Sequence, residues 1–164
     1  MHLREFRLGD ELQLRDVFHS AIHELAIRNY TQEQVDAWSP ADYDPAIWLE
    51  RMQTFRPFVV EDAGKPIAYA DLQPSGMIEH FFVSGPYARR GVGTLLMNRI
   101  HERAAELRHS GLELAALESH VSLTAQPFFA KFGFEIIRQQ MPVRRGVALS
   151  NAVMRKLLTG DAQL

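Results

Sequence analysis

The sequence contains no cysteine among its 164 residues. This absence excludes disulfide bonds, thiolate metal sites and a cysteine nucleophile, so any catalysis must use oxygen and nitrogen groups. His19 and His23 are spaced to share one helix face, but Ile27 stands where a zinc-protease motif would need its second histidine. Two histidines without a third ligand give little support for a metal site, and we expect no metal.

The sequence also lacks a strong charge of either sign and a long apolar run. Its formal net charge is -2 and its isoelectric point is near 6.4, which gives no overall field to hold nucleic acid or an anionic membrane. No uninterrupted apolar stretch approaches the roughly 20 residues that a membrane-spanning helix needs. We expect a cytoplasmic protein with no nucleic-acid or membrane partner, in which an anion would bind to a local arrangement of groups.

Hydrophobic periodicity predicts alternating strands and helices within a single α/β domain. The strongest signal is a helix from Val92 to Leu107, with apolar residues at three- and four-residue steps. Asp10 is placed to cap the first helix, and residues 31–34 have the form of a capping box for the second. The predicted strands are residues 3–8, 58–61, 67–72, 77–83, 112–118, 134–137 and 147–157, and the predicted helices begin near residues 11, 32, 45, 92 and 123.

The most informative segment is a glycine-rich turn, Ala88-Arg89-Arg90-Gly91-Val92-Gly93-Thr94, between an apolar strand and that helix. Glycines let the backbone bend so that successive N–H groups point at one place, where a helix N-terminus and two arginines add positive charge. This arrangement suits a diphosphate. A P-loop is excluded because no lysine follows the second glycine, and Leu96 replaces the third glycine of a dinucleotide-binding motif. The alternative is a plain tight turn with solvated arginines.

The turn resembles the coenzyme A signature of the GNAT N-acetyltransferases when it is taken with its flanking segments. These are Phe81-Phe82-Val83 before it and Ala125-Gln126-Pro127-Phe128-Phe129-Ala130-Lys131-Phe132-Gly133-Phe134 after it. Residues 30–38 also resemble those of a bacterial subgroup labelled YafP-like. The resemblance covers nearly the whole chain and implies the GNAT fold. That fold has a central mixed, mostly antiparallel twisted sheet of about six to seven strands, flanked by helices and splayed between the fourth and fifth strands.

The resemblance further implies that the turn binds the diphosphate of acetyl-CoA and that Phe82 and Val83 pair with its pantetheine arm as an extra strand would. Such pairing requires two neighbouring strands to separate, which leaves backbone groups without partners until a ligand arrives. The cofactor residues implied in this way are Phe82, Val83, Arg89, Arg90, Gly91, Val92, Gly93, Thr94, Ser122 and Phe128.

Two residues depart from the family pattern. Ala88 stands where glutamine or arginine is usual, which removes a side chain but no backbone donor. Phe129 stands where many members have a tyrosine thought to protonate the departing thiolate, and a phenyl ring cannot donate a proton. Either another group or solvent donates that proton, or this member is catalytically slow.

Acetylation of an amine also requires a base, because the amine is protonated at neutral pH and cannot attack until that proton leaves. Glu79 and His80 are adjacent on one predicted strand and should face opposite sides of the sheet. Both are catalytic candidates, but only one of them can face the site directly. We favour Glu79 as the base; the alternative is a solvated or ion-paired glutamate. His120, just after the next predicted strand, is the second candidate, with a loop histidine in solvent as its alternative. Ser122 could bind the coenzyme arm or relay a proton through water.

Aromatic and basic residues outside the signature are candidates for binding the acceptor. Tyr30 and Trp38 are expected to wall the acceptor pocket, with a place in the core as the equal alternative. Arg144 and Arg145 are expected to form a solvated turn, although an anionic substrate could meet them there.

We therefore expect an enzyme that transfers an acetyl group from acetyl-CoA to a primary amine of a small molecule through a ternary complex. A protein or peptide acceptor is one alternative. A non-catalytic acyl-CoA sensor is another alternative, which is suggested by Phe129 at the position of the usual tyrosine. A homodimer is left open.

Overall fold

Two four-stranded sheets form the centre of the fold, and the segment 77–83 contributes one strand to each of them. The structure is a computed structural model that describes residues 1–160. Its strands are β1 (His2–Glu5), β2 (Phe58–Asp62), β3 (Lys65–Ala70), β4 (Met77–Ile78), β5 (Phe81–Val83), β6 (Ala116–Ser122), β7 (Glu135–Gln140), β8 (Val143–Arg144), β9 (Val147–Ala148) and β10 (Asn151–Leu157). The first sheet has the order β1-β2-β3-β5 and the second β4-β6-β10-β7, while β8 and β9 form a separate hairpin.

All neighbouring strands are antiparallel except β4 and β6, which run parallel. Since β4 and β5 together correspond to the fourth predicted strand, the chain changes sheet in the middle of that strand. The predicted mixed, mostly antiparallel sheet is confirmed. The sheet separates between the fourth and fifth predicted strands, because β4 pairs with β6 whereas β5 pairs with β3.

Five α-helices flank the sheets. They are α1 (Glu11–Ser20), α2 (Gln32–Trp38), α3 (Pro45–Phe55), α4 (Val92–His109) and α5 (Gln126–Lys131). A π-helical turn (Ala21–Leu25) and a 3₁₀ turn (Ala26–Arg28) continue α1, and another 3₁₀ turn spans Gly85–Tyr87. The predicted capping box of α2 is confirmed, since Thr31 and Gln34 each accept the other's backbone N–H. Within residues 1–160, no helix combines the length and apolar character needed to cross a bilayer.

Alternating side chains of the first sheet divide the core into two layers. On β2, Phe58 and Val60 pack in the layer that contains α4 and α5, whereas Val59 packs against α1 and α3. Tyr69 on β3 likewise joins the second layer while its neighbours join the first. This alternation follows from the pleat of a strand, in which successive side chains point to opposite faces. The sheet therefore lies between two helical layers.

Several predicted boundaries were wrong. The first strand ends at Glu5, before the predicted end at residue 8, and the last predicted strand is interrupted between β9 and β10. The strand predicted at 112–118 is β6, which begins at Ala116 and continues to Ser122. Its pairing with β10 extends to the last residue of β6, so His120 and Ser122 lie within the strand and not after it.

Asp10 does not cap α1, because its carboxylate pairs with Arg4. The carboxylate accepts two hydrogen bonds from the Arg4 guanidinium, at 2.8 and 2.9 Å, and one from the Arg7 backbone N–H at 2.8 Å. Arg4 also donates to Glu61 on β2. The side chains of Arg4 and Asp10 are 8% and 10% exposed. Burial alone would raise the pKa of Asp10, but the hydrogen bonds from Arg4 and Arg7 outweigh it and lower that pKa below its usual value.

We expect Asp10→Asn to lower the free energy of unfolding by about 2 kcal/mol at pH 7, because the buried Arg4 guanidinium then keeps only Glu61 as a charged partner. A carboxyl with a lowered pKa in the folded state stabilises the fold above the pKa of the unfolded chain. That contribution is lost as the pH falls through the folded-state value. The difference between the wild type and the variant should therefore shrink below about pH 4.

Urea denaturation at pH 7 and at pH 3 measures both effects. The matched control is Asp42→Asn, which removes an exposed ion pair with Arg145 and should leave stability unchanged. Equal losses in the two variants would contradict a structural role for the Arg4–Asp10 pair.

Candidate active site

The separation of the two sheets leaves one edge of β5 without a neighbouring strand. Within residues 1–160, β5 pairs with β3 and with no other strand. The backbone of Ser84 donates to Ile67, and that of Asp71 donates to His80. Since antiparallel bonds recur at every second residue, Phe82 also bonds to β3, and the backbone groups of Phe81 and Val83 point toward β6. This edge can accept an extended ligand as an additional strand.

The sequence predicted that Phe82 and Val83 pair with a ligand. The hydrogen bonds between β3 and β5 change this prediction for Phe82. The backbone of Phe82 faces β3, so its place at the open edge falls to Phe81. Phe82 instead contributes its ring, which packs edge-on against Phe18 at 4.9 Å on the side of α1. The backbone groups of Val83 face the open edge.

The glycine-rich turn lies directly after this edge and leads into α4. Arg89 and Gly91 have positive φ angles of 60° and 79°, and Gly91 is the N-cap of α4. Within residues 1–160, no backbone N–H from residue 89 to residue 94 has a hydrogen-bond acceptor. Such a group of amides at the start of an 18-residue helix forms a site suited to an anion.

Each side chain of the turn has a distinct position. Arg89, Gly91 and Thr94 are exposed, and the guanidinium of Arg90 lies 5.4 Å from the centre of the Tyr87 ring. Val92 points inward and is part of the core beneath α4. Its predicted contribution to the cofactor site is therefore limited to its backbone.

Gly93 is required by close packing. A Cβ atom at this position would lie 3.1 Å from the Phe128 ring, closer than side chains normally approach. Phe128 also packs against Phe81, with ring centres 5.4 Å apart. The glycine turn, α5 and the open edge of β5 are thus joined by one aromatic side chain.

A cavity of about 170 Å³ lies beside the point where the sheets separate. It brings together six of the predicted site residues, and it adds residues from the strands and loops around them. The lining residues are Tyr30, Trp38, Met77, Ile78, Glu79, Phe82, His120, Ser122, Pro142, Arg144, Leu149, Ser150 and Asn151. Glu79 and His120 are both exposed to solvent at this site.

His80, the other catalytic candidate on this segment, does not line the cavity. It is 7% exposed, and its ring packs among aromatic side chains that include Phe55 and Tyr69. Its backbone N–H donates to the Asp71 carboxylate at 2.6 Å, and Asp71 N–H donates to the His80 carbonyl in return. The strand is interrupted at Glu79 and His80, so the alternation of faces predicted along residues 77–83 does not hold there.

Tyr30 and Trp38 line the cavity and also belong to the core, so both interpretations of these residues apply. The hydroxyl of Tyr30 donates to the Ser150 carbonyl and accepts from the Leu123 N–H. Burial raises the pKa of Tyr30, and the bond from Leu123 offsets part of that effect. Trp38 packs against the Tyr30 ring with centres 5.5 Å apart. The two rings form an apolar wall whose position Tyr30 fixes.

Ser122 lies at the end of β6, where the chain turns into α5. Its hydroxyl oxygen accepts the Ala125 N–H at 3.2 Å, and its carbonyl accepts the same group at 3.0 Å. The hydroxyl proton is available to another acceptor because the oxygen uses a lone pair for Ala125. Ser122 therefore helps to begin α5 and presents a donor to the cavity.

Phe129 is a core residue. It is 2% exposed and contacts the rings of Phe81 and Phe134 with centres 5.3 and 5.0 Å away. Its burial beneath the open edge of β5 explains why an aromatic ring occupies this position even without a hydroxyl group. Proton donation at this site must come from a residue that lines the cavity or from solvent.

Sequence reasoning missed the part of the cavity formed by residues 149–151. The Oδ1 atom of Asn151 is buried and has no hydrogen-bond partner among the described residues. No local motif marks this asparagine, because its position follows from the pairing of β10 with β6 opposite Ser122. The basic turn at Arg144 was the sequence feature that could have indicated this side of the cavity.

His19 and His23 stack at 4.0 Å, but their nitrogens bond to the protein. His19 Nδ1 lies 2.9 Å from the Ser39 hydroxyl, and His23 Nε2 donates to the Ser39 carbonyl. No group of three or more potential metal ligands occurs within residues 1–160. The two histidines link α1 and the turn that follows it to the end of α2.

Solved structures share this arrangement of elements. The structure titled GCN5-related N-acetyltransferase: aminotransferase, class-II, from Rhodopseudomonas palustris, has a TM-score of 0.86 and 28% identity, over 96% of this chain and 95% of that one. The PaiA N-acetyltransferase of Thermoplasma acidophilum, solved with coenzyme A, has a TM-score of 0.69 and 15% identity, over 96% and 98%. The yncA structure of Salmonella typhimurium, solved with its cofactor acetyl-CoA, has a TM-score of 0.67 and 18% identity, over 100% and 97%. At this identity the last two support the fold alone.

Sequence comparison agrees with the structural likeness. The chain is 29% identical over 159 residues to the Escherichia coli (strain K12) protein named uncharacterized N-acetyltransferase YafP, covering 94% of this chain and 95% of that protein. The family profile described as the acetyltransferase (GNAT) domain matches residues 26–157, well over half of the chain. This chain therefore belongs to the GNAT acetyltransferase family.

Proposed function

We propose that this protein transfers the acetyl group of acetyl-CoA to a primary amine of a small molecule within a ternary complex. The observation that carries the proposal is that three features of the structure adjoin one another. A turn with unpartnered amides leads back to the open edge of β5, and that edge adjoins a cavity containing Glu79 and His120. The absence of cysteine excludes an acetyl-enzyme linked through a thioester, which agrees with direct transfer in the ternary complex.

The residues of the turn and the open edge fit the two polar parts of coenzyme A. The amides of residues 89–94 would bind the diphosphate, with Arg89 and Arg90 adding charge at the rim. The outward-facing backbone groups of Phe81 and Val83 would pair with the amides of the pantetheine arm. The neighbouring folds solved with coenzyme A or acetyl-CoA support this choice of ligand. When bound, acetyl-CoA supplies an activated thioester.

Glu79 is the base in this proposal. It lines the cavity, and within residues 1–160 no cation lies at ion-pairing distance from its carboxylate. A carboxylate without a protein partner is available to accept the proton of an ammonium group, directly or through one water molecule. Binding the amine and the thioester in one site also accelerates the reaction, because the two reacting groups are held together in a fixed orientation.

His120 is the proton donor that we propose for the departing thiolate. Phe129 has no proton to give, and His120 lies on the opposite strand of the same cavity. A protonated imidazole carries an N–H that can be donated to the sulfur. Ser122, two residues further along β6, presents a hydroxyl donor that can orient the coenzyme arm or an intervening water.

The size of the cavity favours an acceptor whose reacting part is small. Its volume of about 170 Å³ is below the roughly 300–1,000 Å³ typical of pockets that enclose a drug-sized ligand. Tyr30, Trp38 and Phe82 supply apolar area, while Glu79, His120 and Ser122 supply polar contacts. A compact amine with a short apolar segment matches this lining.

Gly91→Val should weaken coenzyme A binding at least tenfold, because a branched residue at a φ of 79° displaces the turn that presents the amides. The matched control is Gly64→Val in the β2–β3 turn. Gly64 has a φ of 77°, and at both glycines a Cβ atom would have no neighbouring atom within 4 Å. Both variants should lose about 1–2 kcal/mol of stability from the strained backbone.

Isothermal titration calorimetry with coenzyme A and urea denaturation measure the two effects. Similar coenzyme affinity in Gly91→Val and Gly64→Val would count against the turn as the diphosphate site.

Glu79→Gln should lower turnover at neutral pH about a hundredfold, because the amide keeps the shape of the side chain but cannot accept the proton of the amine. Coenzyme A affinity should stay unchanged. The measurement is release of free thiol from acetyl-CoA with a panel of primary amines. The control is Glu118→Gln, which removes a carboxylate that pairs with Arg155 and does not line the cavity.

Wild-type turnover in Glu79→Gln would remove Glu79 from the role of base. In that case His120→Asn is the next variant to measure, because His120 is the other ionisable group predicted to act on protons in the cavity.

A further inference from the structure

Arg144 and Arg145 are neighbours in sequence, but the hairpin turns them to different surroundings. Arg145 has a positive φ of 49° at the turn between β8 and β9, and its guanidinium pairs with Asp42 at 2.7 Å. Arg144 is the last residue of β8 and lines the cavity that contains Glu79. The basic turn predicted to be solvated therefore contributes one arginine to the candidate active site.

Arg144 has no protein partner for its charge. Within residues 1–160, no carboxylate lies within ion-pairing distance of its guanidinium, and no acceptor is hydrogen-bonded to it. Arg4 and Arg99, by contrast, are paired with carboxylates. The charge of Arg144 is therefore available to a ligand in the cavity.

Two unpaired charges of opposite sign thus line one small cavity. Glu79 follows β4, Arg144 belongs to the β8–β9 hairpin, and they are not paired with each other. The rings of Tyr30, Trp38 and Phe82 lie in the same lining. A ligand with a positive group and a negative group separated by a short apolar segment would match both charges and would be held in one orientation.

We propose that the acceptor is a small amine that carries a carboxylate, with Arg144 binding the carboxylate while Glu79 faces the amine. This inference rests on the proposed acetyltransferase function. A planar guanidinium binds a carboxylate through two parallel hydrogen bonds, which fixes direction as well as adding attraction. A carboxylate is preferred to a phosphate because one arginine matches a single negative charge, and a dianion would be repelled by Glu79.

The test compares amines of equal length with and without the carboxylate. Beta-alanine is paired with propylamine and gamma-aminobutyrate with butylamine, and aminoethyl phosphate tests the phosphate. The wild type should show a kcat/KM at least tenfold higher for each amino acid than for its alkylamine. Arg144→Gln should remove that preference, mainly by raising the KM of the amino acids, and Arg144→Lys should retain part of it.

Arg138→Gln is the matched control, because Arg138 is an exposed arginine of β7 that does not line the cavity. It should keep the wild-type preference. Equal kcat/KM values for each wild-type pair would overturn the inference. So would an equal loss on both members of a pair in Arg144→Gln, or a preference for aminoethyl phosphate over the two amino acids.

A binding measurement separates this inference from the proposed function. Quenching of tryptophan fluorescence reports ligand binding, because Trp38 lines the cavity. Beta-alanine that binds the wild type at least tenfold more tightly than Arg144→Gln, without any turnover, would support the carboxylate site and contradict acetyl transfer to these amines. Turnover of amines without regard to the carboxylate would support acetyl transfer and contradict the role of Arg144.

Discussion

Reciprocal hydrogen bonds between Asp71 and His80 determine where the central strand changes partner. The Asp71 backbone donates to the His80 carbonyl, and its carboxylate, which is 1% exposed, accepts the His80 N–H. A buried carboxylate needs such donors, because leaving it unpaired would cost several kcal/mol. The carboxylate takes the His80 N–H that the Asp71 carbonyl would accept in a regular ladder, so the β3–β5 ladder ends at this pair. As a result, β4 can pair with β6 while β5 pairs with β3, and the edge beside the active site stays open.

The two layers on either side of this opening have different chemistry. The layer beneath β5 is aromatic, with Phe81, Phe128 and Phe129 in mutual contact. These rings support the open strand without competing for its backbone groups, since a phenyl ring has no hydrogen-bonding atoms. On the other side, the cavity places Glu79, which follows β4, near His120 of β6. The cavity therefore combines polar groups with apolar rings, whereas the layer beneath β5 presents rings alone.

Local patterns in the sequence were sufficient to predict most of the helices and strands and the glycine-rich turn before α4, whereas the separated sheet was predicted from the family resemblance. The helix after Gly93 follows from its apolar periodicity, and the turn follows from glycines at positions that require a positive φ or close contact. The capping box at Thr31 was equally local. The role of Asp10 was not predictable in this way, since a carboxylate near a helix start can cap the helix or pair with an arginine. The choice here depends on Arg4 lying on the adjacent strand.

Tertiary pairing also decided the remaining differences at the site. His80 became a core residue because its backbone is held by a distant aspartate, and Asn151 entered the cavity through its register opposite Ser122. Neither relation leaves a periodic signal in the sequence. The prediction for Glu79 placed it on a continuous strand, and the break in that strand instead puts it beside Phe82 in the cavity lining.

The hydroxyl of Tyr30 connects three segments that are far apart in the chain. It bonds to Ser150 before β10 and to Leu123 before α5, while its ring supports Trp38 on α2. Replacing Tyr30 would therefore release a backbone donor and a backbone acceptor at once, in addition to changing the cavity wall. Trp38 makes only ring contacts among the described residues. A change of the cavity wall would thus meet less resistance at Trp38 than at Tyr30, although both line the same cavity.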